Sequence, residues 1–106
     1  MTNILPPEQC ATMIEVRAGV DQTDRELVAL LARRFGYMDA AAHIKPDRGA
    51  VRDEQRKAEV IDNVRRHAGP AGVPEALAAA IWETLIEGSI DYELERFDAL
   101  RELSAR

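Results

Sequence analysis

One cysteine, Cys10, in 106 residues excludes an intrachain disulfide and any cysteine-based zinc cluster, and it fits a reducing compartment. Histidine is nearly as scarce. His43 and His67 are too few and too far apart for a metal centre, and the acidic runs lack calcium-loop or carboxylate–histidine spacing. No metal and no cofactor is expected. No glycine-rich loop follows a strand, which removes the usual phosphate cradle of nucleotide enzymes. No apolar run approaches the roughly 18 residues of a membrane span. The opening MTNILPPEQC has neither the basic stretch nor the apolar core of a signal peptide, so the chain reads as cytoplasmic with no membrane contact. Positive charge is in deficit: 14 Lys+Arg against 19 Asp+Glu give a net charge of -5. That balance argues against non-specific nucleic-acid binding, yet it leaves room for a locally positive pocket.

What is present is a globular composition, 46% apolar and 31% charged. The length suits one domain, and burying long apolar stripes in so small a chain calls for a partner. Residues 1 to 9 read as an irregular tail, with Pro6-Pro7 opposing helix, and 10 to 106 as a single helical domain. From about Ala11, residues Met13, Ile14, Val20, Leu27, Leu30, Leu31 and Phe35 recur at helical spacings, predicting one helix to about His43 or Lys45 through Gly19 and Gly36. Lys45-Pro46-Asp47-Arg48-Gly49 is a stop and turn. A second helix starts near Val51 or Arg52, carries Val60, Ile61 and Val64, and is expected to end at Gly69-Pro70-Ala71-Gly72. Pro74 then opens a third, with Leu77, Ile81, Leu85, Ile90, Leu94, Phe97 and Leu100, fraying toward Arg106. The fold class is all-α: three helices, long, short, long. Periodicity alone fits a plain three-helix bundle or a coiled-coil interaction module equally well.

Position singles out certain polar residues. Arg34 and Lys45 are eleven residues apart and point the same way, separated by about 16 Å of helix axis. Arg17 lies about 25 Å before Arg34. No small molecule spans that distance, so a ligand touching both needs a second chain; surface ion pairs of Arg17 with Asp21 or Asp24 are the plainer reading. Asp53 and Arg56 share a face of the second helix, and Ser89 and Glu93 share one of the third. Several cations, a hydroxyl and a carboxylate over three helices are the raw material for clamping a charged, oxygen-rich small molecule, and the arginine fork meets a carboxylate bidentately. Trp82 reads as packing bulk, and Cys10 as a quiet thiol.

Three stretches carry a family resemblance. Ile14-Glu15-Val16-Arg17-Ala18-Gly19-Val20-Asp21 with the leucine run ending in Arg33-Arg34, then Lys45 and Val51-Arg52-Asp53-Glu54-Gln55-Arg56, then Leu85-Ile86-Glu87-Gly88-Ser89-Ile90-Asp91-Tyr92-Glu93, together resemble the small helical chorismate mutases. The resemblance implies an intertwined homodimer of three-helix chains whose two active sites draw on both protomers. It implies that Arg17 comes from the partner to bind one substrate carboxylate, that Arg34 binds the other, and that Lys45 donates to the ether oxygen. Asp53 would receive the ring hydroxyl, Arg56 would support that end of the pocket, and Ser89 would approach a carboxylate.

The chain is also similar to isochorismate pyruvate lyases, which share the scaffold, in Pro7-Glu8-Gln9-Cys10 and Tyr37-Met38-Asp39-Ala40-Ala41. Asp53 weighs toward the mutase, because the lyase pattern is apolar there. Two residues depart from the mutase pattern. Lys57 stands where a glutamate contacts the hydroxyl, and Glu93 where a glutamine donates to the ether oxygen. The implied reaction is the unimolecular rearrangement of chorismate to prephenate. It needs orientation and charge stabilisation rather than a nucleophile. An ionised Glu93 would repel the ether oxygen, so it must carry a proton in the complex. A catalytically idle helical dimer is the reading from a different class.

Overall fold

The computed structural model describes residues 4–105, so the expected tail at 1–9 and the fraying end at Arg106 lie partly outside the described residues. The three helices follow as expected: α1 (Met13–Ile44), α2 (Glu54–Ala71) and α3 (Glu75–Ser104), of 32, 18 and 30 residues. Short 3-10 turns stand at Pro7–Gln9 and Arg48–Ala50, and there is no strand among the described residues. The chain is all-α. It divides into two compact units, one up to Gly36 and one from Tyr37, and α1 contributes to both.

In the first unit, the segment read as irregular holds a 3-10 turn, closed by Gln9 N–H donating to Pro6 O at 3.0 Å. α1 then starts with a capping box that spacing analysis overlooked. Thr12 Oγ1 accepts from the Glu15 N–H at 3.2 Å, while Glu15 Oε1 accepts from the Ala11 and Thr12 N–H groups, both at 2.9 Å. These donors, Ala11 first, hold the Glu15 carboxyl below the usual carboxylate range. No described residue of this unit is buried. Met13, Ile14, Val20, Leu27, Val28 and Leu30 are all between 51% and 70% exposed. The apolar stripe of α1 is therefore exposed along this unit.

The second unit contains the core. α1 stops at Ile44 because Pro46 bars Lys45 from helical geometry. Asp53, in extended conformation, caps α2 by accepting from the Arg56 N–H at 3.0 Å, so this helix begins two residues later than its sequence suggested. It also runs on through Gly69-Pro70, where an end was expected. Pro70 falls in the final turn, where its lack of an N–H gives up one bond to the carbonyl four residues back, and the stop comes at Gly72 with φ of 82°. There Val73 N–H reaches Ala68 O at 2.9 Å and Gly72 N–H reaches Gly69 O at 3.0 Å, satisfying the terminal carbonyls.

α2 packs on α3 around Val51, Ile86 and Ile90, with Val60, Ile61, Trp82 and Leu94 against them, so Trp82 is packing bulk. The buried stripe of α3 runs Ala79, Ile86, Ile90, Glu93, Phe97, at spacings of seven, four, three and four. Leu77 and Ile81, grouped with the core by periodicity, are 55% and 49% exposed. α3 is apolar on two faces, and one chain uses only one of them.

Candidate active site

Lys45 leaves the end of α1 and its ammonium meets Glu93 Oε2 at 2.6 Å. The Glu93 side chain is 5% exposed and that of Lys45 29% exposed. Forty-eight residues separate the two in sequence, and only the docking of the α1 terminus on α3 joins them. Lys45 Nζ also approaches Val51 O at 3.5 Å, just ahead of α2. An ammonium has three donors, so one N–H remains for a ligand. A buried ion pair is a poor device for stability. Desolvation offsets most of its attraction, and an apolar pair of equal volume does as well or better. Its presence therefore points toward chemistry.

Ser89, one turn before Glu93 on the same helix, is 3% exposed and donates to Leu85 O at 2.7 Å. Two clamps flank the pair. On one side Asp39 Oδ1 accepts from Tyr92 Oη at 2.8 Å and from Arg96 Nε at 3.0 Å, joining α1 to α3 beside Glu93. The Asp39 carboxylate, with burial second, raises the Tyr92 phenol above its ordinary value. On the other side Arg101 donates to Ala42 O at 2.8 Å and to Lys45 O at 2.7 Å. Sequence reading named Asp39 and Tyr92 only within family-like stretches, without a role, and passed over Arg96 and Arg101. Their only signal was the four-residue spacing of Tyr92 with Arg96 and of Phe97 with Arg101, common on any helix.

The other expected site residues are distributed unevenly. Asp53 and Arg56 share the exposed first turn of α2, where Asp53 caps and Arg56 pairs with Glu59 at 3.3 Å. Lys57, the departure from the family pattern, is engaged elsewhere: its ammonium lies 2.6 Å from Glu83 and 3.0 Å from Glu87. Glu87 also takes Arg52 at 2.8 Å. Arg52 first and Lys57 second pull the Glu87 carboxyl down to about 2, and the carboxylates Glu83 and Glu87 raise the Lys57 ammonium. In the first unit, Arg34 is half-buried and Arg17 is exposed. Arg17 makes no ion pair with another described residue, so the plainer reading, pairing with Asp21 or Asp24, does not hold. The structure thus brings Lys45, Glu93 and Ser89 into one buried patch, with Asp53 and Arg56 on the α2 turn of the same unit. Among the described residues no group of His, Cys, Asp and Glu is placed to hold a metal, and no helix is long and apolar enough to cross a membrane.

The chain is similar to an isochorismate pyruvate lyase of Pseudomonas aeruginosa, 25% identical over 89 residues that span 84% of this chain and 88% of the relative. The profile of the family described as chorismate mutase type II matches residues 16–94, a span that holds all seven expected site residues. With three-quarters of its length matched, and with the all-helical order just described, the chain belongs to the chorismate mutase type II family.

Proposed function

We propose that this chain is a chorismate mutase, converting chorismate to prephenate in a cationic pocket shared between two copies of the chain. Membership of the family supports an enzyme of the chorismate mutase and isochorismate pyruvate lyase group. The observation that carries the catalytic reading is the buried contact of Lys45 with Glu93 at 2.6 Å, and Asp53 turns that reading toward the mutase. In the rearrangement one C–O bond breaks as one C–C bond forms, nothing leaves, and negative charge builds on the ether oxygen. Lys45 turns its remaining N–H to that oxygen, and preorganised donors aimed at developing charge are worth most where water is excluded.

Glu93 completes the pair only as an acid. Arg34 binds one substrate carboxylate and the partner's Arg17 the other, with Ser89 nearby. Asp53 receives the ring hydroxyl through the oxygen not used in capping, and Arg56 supports that end. The exposed stripe of α1 supports a homodimer, since α1 needs an apolar cover, and a partner chain is the source of the second arginine.

Elimination of pyruvate from isochorismate is a second reading, supported by the name of the Pseudomonas relative. The same oxygen acquires charge in that reaction, so the same pair serves both. Asp53 favours the mutase, because an acid suits a hydroxyl that an apolar residue does not. Incubation with chorismate, following loss of its absorbance and separating the products, tests the proposal. Prephenate is expected. Salicylate and pyruvate from isochorismate, with chorismate untouched, would establish the lyase, and inertness toward both would leave a non-catalytic helical dimer.

A further inference from the structure

The last turn of α1 faces the protein on one side and water on the other: its final residue, Ile44, is 80% exposed. Ala42 is 0% exposed, and the last carbonyls of any helix lack intrahelical donors. Here one side chain meets that need. The two arms of the Arg101 guanidinium reach the carbonyl of Ala42 at 2.8 Å and that of Lys45 itself at 2.7 Å. Arg101 Cζ sits 3.8 Å from the centroid of the Phe97 ring, and Phe97 is 6% exposed, so the fork rests on a packed platform. A cation at a helix C-terminus also suits the partial negative charge there.

The consequence concerns Lys45. A lysine side chain has four rotatable bonds, so its ammonium goes where its backbone root and its partner send it. Pro46 restricts the root from one side by excluding helical geometry. Arg101 holds it from the other by its carbonyl. We propose that Arg101 is a positioning residue that fixes the backbone of Lys45 and so delivers its ammonium to Glu93. The inference rests on the reading of Lys45 and Glu93 as the groups that act on substrate. Among the described residues the Arg101 side chain bonds to two backbone carbonyls and rests on Phe97, and it lies outside the span matched by the family.

Full-length R101Q, R101K and R48A chains test this with two readouts. Arg48 bonds to Asp98 on α3 across an exposed contact, so R48A loosens the same junction without touching the Lys45 carbonyl. A displacement of about 1 Å in a catalytic group costs up to about a hundredfold in rate. R101Q is therefore expected to lower kcat on chorismate by about ten- to a hundredfold with little change in KM. R101K, which keeps one donor point, recovers part of the loss, and R48A keeps wild-type kcat. The second readout needs no substrate. A double-mutant cycle of K45M and E93Q, followed by chemical unfolding, measures the coupling of the pair, and that coupling shrinks in R101Q and in R101K.

A folded R101Q chain with wild-type kcat overturns the proposal. So does an equal loss in R48A, or an unchanged coupling in both Arg101 variants. Should R101Q fail to fold, R101K decides by the same two readouts. Failure of the underlying reading looks different: wild-type protein turns over neither chorismate nor isochorismate, or K45M stays fully active, while the coupling cycle still reports whether Arg101 sets the pair.

Discussion

Glu93 is a carboxylate with 4% of its surface exposed, and its ammonium partner lies 2.6 Å away. Removing either member should separate stability from chemistry. K45M is expected to lower kcat on chorismate by about a hundred- to a thousandfold, the cost of losing one preorganised donor at a charged oxygen. E93Q supplies a donor without titration. E93Q should therefore keep most of the wild-type kcat while E93A loses about a hundredfold, and steady-state kinetics of both check it. An E93A chain with wild-type kcat removes Glu93 from its proposed role. At this scale the sequence was legible where a family motif stood, as at Lys45, Ser89 and Glu93. It was opaque at Asp39, Tyr92, Arg96 and Arg101, whose bonds join residues more than 50 positions apart.

At the scale of elements, two local devices set where helices begin and end. Asp53 holds the first turn of α2 through the Arg56 N–H, so D53A should cost about 1 kcal/mol and lower Tm by a few degrees, beyond any effect on substrate. Gly72 sits at φ of 82°, where a Cβ meets no neighbour but the backbone itself objects; G72A should cost about 1–2 kcal/mol for the same reason that left-handed residues are rare. The α2–α3 junction carries a pH signature. Glu87 titrates at about 2 when folded against an ordinary 4.5, so the folded protein binds this proton less readily than the unfolded chain. Its stabilising contribution is complete above about pH 5 and is lost as pH falls through 4.5 toward 2. Thermal melts between pH 6 and 2 should show E87Q losing less stability than wild type over that window. Helix identity was legible from period and punctuation. The end of α2 was not, because Gly69-Pro70 reads as a stop yet falls in a last turn that a glycine two residues later closes.

At the scale of the whole molecule, the first unit exposes the stripe that sequence periodicity would bury. Six of its apolar side chains are more than half exposed, and apolar area left in water costs about 25 cal/mol per Å² relative to burial. Sedimentation should therefore report a dimer, and L30E, which puts a charge into that stripe, should shift it toward monomer with loss of activity. A shared site makes a sharper demand. Mixing an R17A chain with a K45M chain and allowing exchange should restore about half the activity per heterodimer, since one of its two sites regains both residues. Confirmed heterodimers with no recovery would show that Arg17 acts within its own chain or not at all.

The sequence by itself determined three helices of unequal length, the exclusion of an intrachain disulfide by its single cysteine, and the family. Each of these depends on local pattern or composition, which a chain carries without folding. The tertiary structure decided which cation meets which carboxylate: Lys45 with Glu93, Lys57 with Glu83 and Glu87, and Arg101 with the end of α1. Those choices lie beyond local pattern because a charged side chain of four or more rotatable bonds reaches many partners. Only the packing of α1 and α2 against α3 selects one.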